Sequence, residues 1–488
     1  MQYKVFGCKV NKYYTDKWLN SEYLRDKTGT FVASCVVTDS AKRKWVRFVK
    51  KEVETLSGKS KVYISGCGAF KDGKAQTDFF EIYPDLAFAR EMIEVLDEEP
   101  ETPPLSGILS LTTTSSQPSP LGEKERAIFD EKMQPLSPPK EKGFRIEGAL
   151  SKLKQAQKTQ IYTRKYLLIQ GGCDSFCTFC LTVQKRGRHY FRAKEDIVEE
   201  ILEFESEGGK EVVLTGVNLS AWGLDNTHDI QNFSEDLIKN GFSGGGSRFA
   251  ELLEYILGNT SIARVRISSL GPEFIDEACL KIFEDTRIYP HFHFSIQSGS
   301  SNILKSMARH YDGDYMKRLL QKTLAVPRSD GVAISIGADL IVGFPGETEA
   351  DFMDTYNLVQ DCQITKVHAF PFSAHTMGES VPAGKFKSQV SEAIKKDRMN
   401  RLMQLGDQVR EDFKASQKGK IFKVLVEKSD LSQSPHNTSI LNSFPSKGKE
   451  ARMNWSGWTE NYLEADQSNF EIISGVPKRN SIIVGKFK

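Results

Sequence analysis

No stretch of this 488-residue chain is apolar for the ~18 residues that a membrane-crossing helix needs. Met1 to Val10 also lack the basic flank and apolar core of a secretory signal. A membrane-embedded or exported protein is therefore not expected, and a soluble cytoplasmic one is. Charge of one sign is missing as well. The 66 Lys and Arg are set against 64 Asp and Glu, a net charge of +2, so bulk electrostatics selects no class of partner, although a local basic face stays compatible with nucleic acid. Eight cysteines without an export signal do not suggest a disulfide framework, which leaves metal ligands or structural thiols. What the chain does have is 39% hydrophobic residues, enough for ordinary globular cores, and a length that suggests two to four domains, with three expected.

Short β-branched runs at residues 4–6, 30–34 and 61–65 are each followed by helical spacing, as in Trp18, Leu19, Tyr23 and Trp45, Val46, Val49, Val53. This predicts repeated β/α units and an open parallel sheet over 1–97. Cys8, Cys35 and Cys67 each fall just past one of these strands. Ligands gather at the carboxyl edge of such a sheet, so one shared site is expected there. Eight of the 18 prolines lie in residues 98–140, which marks 98–142 as a linker or insert. A glycine-bearing segment at 224–247 reads as a second, looped insert.

From 159 to 416, strand and helix signals alternate again. Strands are expected at 165–170, 211–215, 263–268, 291–296, 334–342 and 366–370, and six β/α units predict an open or partial (β/α)6 barrel whose loops converge at its carboxyl face. A long helix is expected over 390–416. Residues 417–488 then change to short β-like runs at 421–426, 461–464, 471–474 and 481–484, as in a small β-barrel. The Lys and Arg of this tail, with Trp455, Trp458 and Tyr462, offer charge and stacking to RNA, or else form a capping domain.

The segment Cys173-Asp-Ser-Phe-Cys177-Thr-Phe-Cys180 puts three soft thiolates in one loop after the first barrel strand. Three thiolates suit three irons of a cubane and leave the fourth iron free for chemistry. The alternative is zinc or a structural loop. A zinc knuckle would supply a fourth Cys or His at short range, and His189, nine residues on in a basic stretch, fits poorly.

The Cys-x-x-x-Cys-x-aromatic-Cys loop resembles that of the radical S-adenosylmethionine (SAM) superfamily. Further likeness lies in Val213-Leu-Thr-Gly-Val-Asn218, Arg266-Ile-Ser-Ser269, His293-Phe-Ser-Ile-Gln-Ser-Gly-Ser300 and Asp339-Leu-Ile-Val-Gly-Phe-Pro-Gly-Glu-Thr348. These resemble the methylthiotransferase branch, as do Gly7-Cys8-Lys9-Val10-Asn11, Ser34-Cys35-Val36-Val37-Thr38 and Gly66-Cys67 in its N-terminal domain. Gly457-Trp-Thr-Glu-Asn-Tyr462 is similar to the closing TRAM domain. The resemblance implies two 4Fe-4S clusters, on Cys173, Cys177, Cys180 and on Cys8, Cys35, Cys67, with SAM on the open iron of the first and Phe179 near its adenine. It also implies no catalytic side chain beyond the cluster ligands, a tRNA anticodon stem-loop as partner, an electron donor such as flavodoxin or ferredoxin, and a sulfur source. Lys9-Val10-Asn11 is similar to the branch that modifies threonylcarbamoyladenosine. The alternatives are isopentenyladenosine, a ribosomal-protein aspartate, or a non-catalytic iron-sulfur RNA-binding or redox-sensing protein.

Asn218 and Gln297 end strands at the expected pocket and are candidates to hydrogen-bond SAM or substrate, against a plain role in loop capping. His375 stands where the family carries arginine, so substrate contacts near 373–379 are open to question. The basic run Lys185, Arg186, Arg188, His189, Arg192 is either a solvated face or a phosphate contact. Glu347 reads as a helix-start residue. Cys279 and Cys362 read as core thiols, and His291 and His293 as packing residues.

Overall fold

The computed structural model describes residues 1–56, 58, 60–100, 162–224, 248–430 and 454–488. All but three residues of the proline-rich insert, and residues 225–247 of the second insert, lie outside the described residues.

The N-terminal sheet pairs β1 (Gln2–Val5), β2 (Gly29–Ser34), β3 (Lys61–Gly66) and β4 (Ile93–Val95) in that order, all parallel. The expected three strands are there. The fourth has only three residues, too few to make a readable alternation. Between the strands run α1 (Lys9–Leu19) and α2 (Asp39–Leu56). In α2, Trp45, Val46, Val49 and Val53 form one apolar stripe and bury it against Val32, Val62 and Ile64. The α1 helix divides its apolar residues between two neighbours. Trp18 packs with Phe31, Ala33 and Tyr63 of the sheet, while Val10, Tyr13 and Tyr14 pack on Tyr166, Leu168 and Val213 of the central domain.

The central domain has the six expected parallel strands: β5 (Lys165–Gly171), β6 (Glu211–Gly216), β7 (Arg264–Ile267), β8 (His291–Gln297), β9 (Ser335–Val342) and β10 (Ile364–Pro371). They form two four-stranded sheets. The chain leaves the first at β7 and enters the second through Ser269–Leu270, which pairs with β8. Tyr190–Phe191 adds a short antiparallel edge to β5. The outcome is a partial (β/α)6 barrel. One set of alternating side chains, including Leu167, Ile169, Leu214, Phe292, Phe294, Ile336 and Leu340, packs outward on helix residues such as Ile197, Leu253, Leu320 and Val359. Each such buried side chain contributes about 1.5–3 kcal/mol relative to exposure. Cys279 and Cys362 sit fully buried in this core, as expected.

The helix Glu392–Gln417 packs along β10 and leads into an antiparallel sheet. Its strands are β11 (Ile421–Ser429), β12 (Trp455–Trp458), β13 (Glu464–Asp466), β14 (Phe470–Ser474) and β15 (Ile482–Phe487), ordered β13-β12-β11-β15-β14. The β12 strand was not foreseen, because Gly457 interrupts its pattern. That glycine is required, since a Cβ there would lie 2.2 Å from the Leu425 carbonyl oxygen.

The turn after β12 closes the amino end of the barrel. Ser335 Oγ donates to the Asn461 carbonyl at 2.7 Å, and Arg266 donates to the carbonyls of Thr459 and Glu460 at 3.3 Å each. The Tyr462 ring stacks between Trp458 at 4.5 Å and His291 at 4.6 Å. Trp455 is part of the sheet's own core. Of the two readings of these aromatics, their placement favours capping over stacking on RNA: one is interior, and the other two form a plug.

Candidate functional site

The loop after β5 is held in shape by backbone contacts. Cys173 N donates to the Gly187 carbonyl at 3.2 Å, Thr178 N to Met307 at 3.1 Å, and Ala383 N to Thr178 at 2.9 Å. Gly172 has φ +60°, and a Cβ there would lie 1.7 Å from the Arg188 carbonyl oxygen, so only glycine lets the loop approach its return strand. Gln170 Nε2 donates to the carbonyls of Gly171 and Gly172, while its Oε1 accepts from the backbone of Val217 and Asn218 at 2.9 and 2.7 Å. One buried amide thus joins the cysteine loop to the loop after β6. Burial pushes the Cys173 thiol up to about 12 and raises that of Cys177. Arg309 opposes this at Cys177, with Nη1 3.4 Å from its sulfur and a salt bridge to Glu273 at 3.7 Å.

The N-terminal cysteines gather where the parallel sheet ends. Cys8 is the N-cap residue of α1, while Cys35 and Cys67 directly follow β2 and β3. Cys35 feels the charges of both the others, and burial pushes it up to about 12 and Cys67 to about 11. Asn11, buried, donates to the carbonyls of Phe6 and Ser34 at 2.8 Å each and so ties the Cys8 and Cys35 loops together.

The two triads share a border. Phe179 and Leu181, which flank Cys180, pack with Val36 and Cys67 and with Phe344 and Phe372 in one apolar cluster. Arg186, six residues past Cys180, reaches across: Nε is 3.2 Å from Cys67 Sγ, Nη2 2.8 Å from Asn11 Oδ1, and Nη1 pairs with Glu98. All six cysteines are free of disulfides, and three thiols on each side are a donor set that suits a cubane with one iron left open.

A family model of the radical SAM superfamily matches residues 167–359. The threonylcarbamoyladenosine tRNA methylthiotransferase MtaB of Thermotoga maritima is 30% identical over 443 residues, 87% of this chain and 86% of that protein. The chain belongs to the radical SAM methylthiotransferase family. MtaB of Bacillus subtilis is also 30% identical, over 62% of this chain and 58% of its own length. A tRNA-2-methylthio-N(6)-dimethylallyladenosine synthase of Desulforamulus reducens is 35% identical over 54% and 53%. Membership makes the protein an enzyme that transfers sulfur-containing groups and implies a 4Fe-4S cluster and SAM.

Of the residues expected to touch SAM, Phe179 packs into the shared apolar cluster and Asn218 is buried, its Nδ2 3.3 Å from Ser175 Oγ inside the cysteine loop. Gln297 is half-buried at the end of β8 with φ +71°, a turn that redirects the chain at the barrel mouth. Sequence reasoning missed Gln170, Arg186 and Arg309 as site residues. Arg186 was read only as part of a basic run, either a solvated face or a phosphate contact, and Arg188 of that run is exposed, 3.0 Å from Asp174. Lys185 pairs with Glu379, Arg186 with Glu98, and Arg192 with Glu200 at 2.9 Å, so these three are spent on internal ion pairs. Glu347 accepts from Gly343 N at 2.7 Å and pairs with Arg398 at 2.7 Å, while Thr348 caps the helix Glu349–Asp361.

Segment 373–379 docks on the N-terminal domain. Ser373 Oγ accepts from Asp39 N at 3.1 Å, Asp39 Oδ2 accepts from Thr376 N at 3.0 Å, and Glu379 pairs with the buried Lys42 at 2.6 Å. His375 is buried with φ +56°, and burial pushes its imidazole down to about 4, so it is neutral. The departure from the family pattern thus falls in an interdomain latch. Beside it, a cavity of about 740 Å³ is lined by Lys71, Gln76, Lys185, His375, Glu379 and Lys385 among others. Among the described residues no helix is long and apolar enough to cross a membrane.

Proposed function

We propose that the protein methylthiolates threonylcarbamoyladenosine next to the anticodon of a tRNA, with Cys173, Cys177 and Cys180 holding the SAM-binding cluster and Cys8, Cys35 and Cys67 an auxiliary cluster through which sulfur is delivered. The observation that carries this reading is the common border of the two triads: Cys67 and the residues flanking Cys180 belong to one apolar cluster bridged by Arg186. A generator of radicals and a carrier of sulfur must serve the same carbon, and such a border permits it.

When bound, the first cluster supplies the electron that splits SAM to a 5′-deoxyadenosyl radical, and the second holds sulfur. The chain's own side chains do the rest. Phe344, Phe372, Leu181 and Val36 exclude water between the triads. Gln170 fixes the cysteine loop against Asn218, which orients whatever occupies the barrel mouth. Arg309 and Arg186 put positive charge beside Cys177 and Cys67, which favours their thiolates. An electron donor such as flavodoxin or ferredoxin and a source of sulfur complete the cycle.

The test is anaerobic incubation of the reconstituted protein with SAM, a reductant and tRNAs carrying either threonylcarbamoyladenosine or isopentenyladenosine, followed by mass spectrometry of the nucleosides. The methylthio product of the first nucleoside alone is expected. Product from the second alone moves the chain to the other tRNA branch, and product from neither directs attention to the ribosomal protein.

A further inference from the structure

The inner face of the barrel carries seven cationic or imidazole side chains near its amino end, and most are already matched. Arg164, Arg264 and Arg266 surround the fully buried Glu211 at 3.5, 2.6 and 2.9 Å, and Arg164 also meets Glu427 at 2.6 Å. His293 and His368 share Asp339 at 3.0 and 3.5 Å. His291 stacks on Tyr462. Lys366 is the exception. Its Nζ lies 4.2 Å from the Tyr462 ring centre and 5.7 Å from that of Trp458, and among the described residues no carboxylate comes within 4.0 Å of it.

A second ammonium enters the same region from the other domain. Lys9, the first residue of α1, is within electrostatic reach of Tyr462, Arg266, Lys366 and Arg164, and among the described residues no carboxylate lies within 4.0 Å of it. Two ammonium groups from different domains therefore approach one place where, among the described residues, no carboxylate pairs with either and the nearest acid is the Tyr462 phenol, which both ammonium groups push down to about 8. The place is also reachable. On the inner face of β10, Lys366 is half-buried and His368, one layer above, is 53% exposed, while Asp339 beside it is 24% exposed. Gly337, which lies between Lys366 and His293 in the strand register, lets the His293 ring close on the backbone, since a Cβ there would lie 2.4 Å from its Nδ1.

We propose that this floor is a carboxylate site, with Lys366 as principal donor and Lys9 as the second, and that it takes the free carboxylate of the amino acid borne on N6 of the target adenosine. It rests on the reading of the substrate given above. Threonine joined through its amine to a carbamoyl group keeps its carboxylate, and a desolvated carboxylate needs charge-assisted donors. An isopentenyl group would leave two ammonium groups there without a carboxylate. The same floor argues against a divalent cation: His293, Asp339 and His368 offer ligand atoms within 4.8 Å of one another, but the ion would sit beside Lys366.

The experiment uses the reconstituted holoenzyme, its Lys366→Gln, Lys366→Arg and Lys9→Gln variants, and two anticodon stem-loop RNAs. One carries threonylcarbamoyladenosine, and the other the same nucleoside with its carboxylate converted to the carboxamide. Kd for each RNA and KM for methylthiolation are measured. Lys366→Gln is expected to raise both about 10- to 100-fold for the carboxylate RNA and to leave the carboxamide RNA within a few-fold, with Lys366→Arg restoring most of the loss. Lys9→Gln should show the same selectivity, more weakly. Equal losses on both RNAs mean that Lys366 only supports the Tyr462 plug and overturn the proposal, as does no loss on either. Should the unaltered enzyme ignore the carboxylate RNA altogether, the substrate reading itself fails and takes this site with it. Should it act on that RNA and Lys366→Gln not discriminate, the carboxylate site alone falls.

Discussion

Arg186 is the side chain on which the two cysteine regions depend together. It is buried, and its guanidinium meets Cys67, Asn11 and Glu98 at once. Burial raises the Glu98 carboxyl and Arg186 counters that rise, so removing the cation leaves an acid with no local partner of comparable strength. Arg186→Met should cost about 3–5 kcal/mol in anaerobic denaturation, and adding Glu98→Gln should recover part of it, because the second change removes the stranded charge. No recovery in the double variant would mean that Arg186 acts through packing alone. The cysteines were legible in the sequence because their chemistry is carried by residue type and local spacing. Arg186 and Arg309 were not, because what defines each is a partner brought in by the fold, for Arg186 one 88 positions away.

At the scale of elements, the segment 373–379 shows how a local departure from a family pattern changes meaning once its neighbours are known. As sequence it put substrate contacts in doubt. In the structure Glu379 takes up both Lys42 of α2 and Lys185 of the cysteine-loop helix Thr182–Arg186, so it latches the N-terminal domain to the core. Glu379→Gln leaves the buried Lys185 without its carboxylate and Lys42 with only Asp39 at 3.9 Å, and should cost about 3 kcal/mol or more. The loss should appear as faster hydrogen exchange in α2 and in the loops after β2 and β3 than in the outer barrel helices. Uniform loosening across the barrel would instead make Glu379 a general stability residue. The six barrel strands were readable because each is a short run with an alternating outward apolar face. The plug at Trp458 to Tyr462 was not, since a stacking aromatic looks alike in sequence whether its partner is a base or His291.

At the scale of the whole molecule, α1 is shared by two domains. Its Trp18 belongs to the N-terminal sheet, its Val10, Tyr13 and Tyr14 to the barrel, and its N-cap is Cys8. Packing of this one helix therefore sets where the N-terminal cysteines stand relative to the barrel mouth. The succession of a parallel sheet, a partial barrel and an antiparallel sheet was legible from the alternation of strand and helix signals. Their mutual docking was not, because it rests on long-range ion pairs and on helix faces whose period is the same whichever sheet they cover. The most direct test of the two-triad account compares the anaerobically reconstituted protein with its Cys8→Ser/Cys35→Ser/Cys67→Ser variant. Iron content, 5′-deoxyadenosine release and methylthiolated nucleoside are measured on both. About eight irons are expected in the parent and about four in the variant, which should still release 5′-deoxyadenosine but form no methylthiolated nucleoside. A variant that keeps about eight irons, or that still transfers sulfur, would contradict the account.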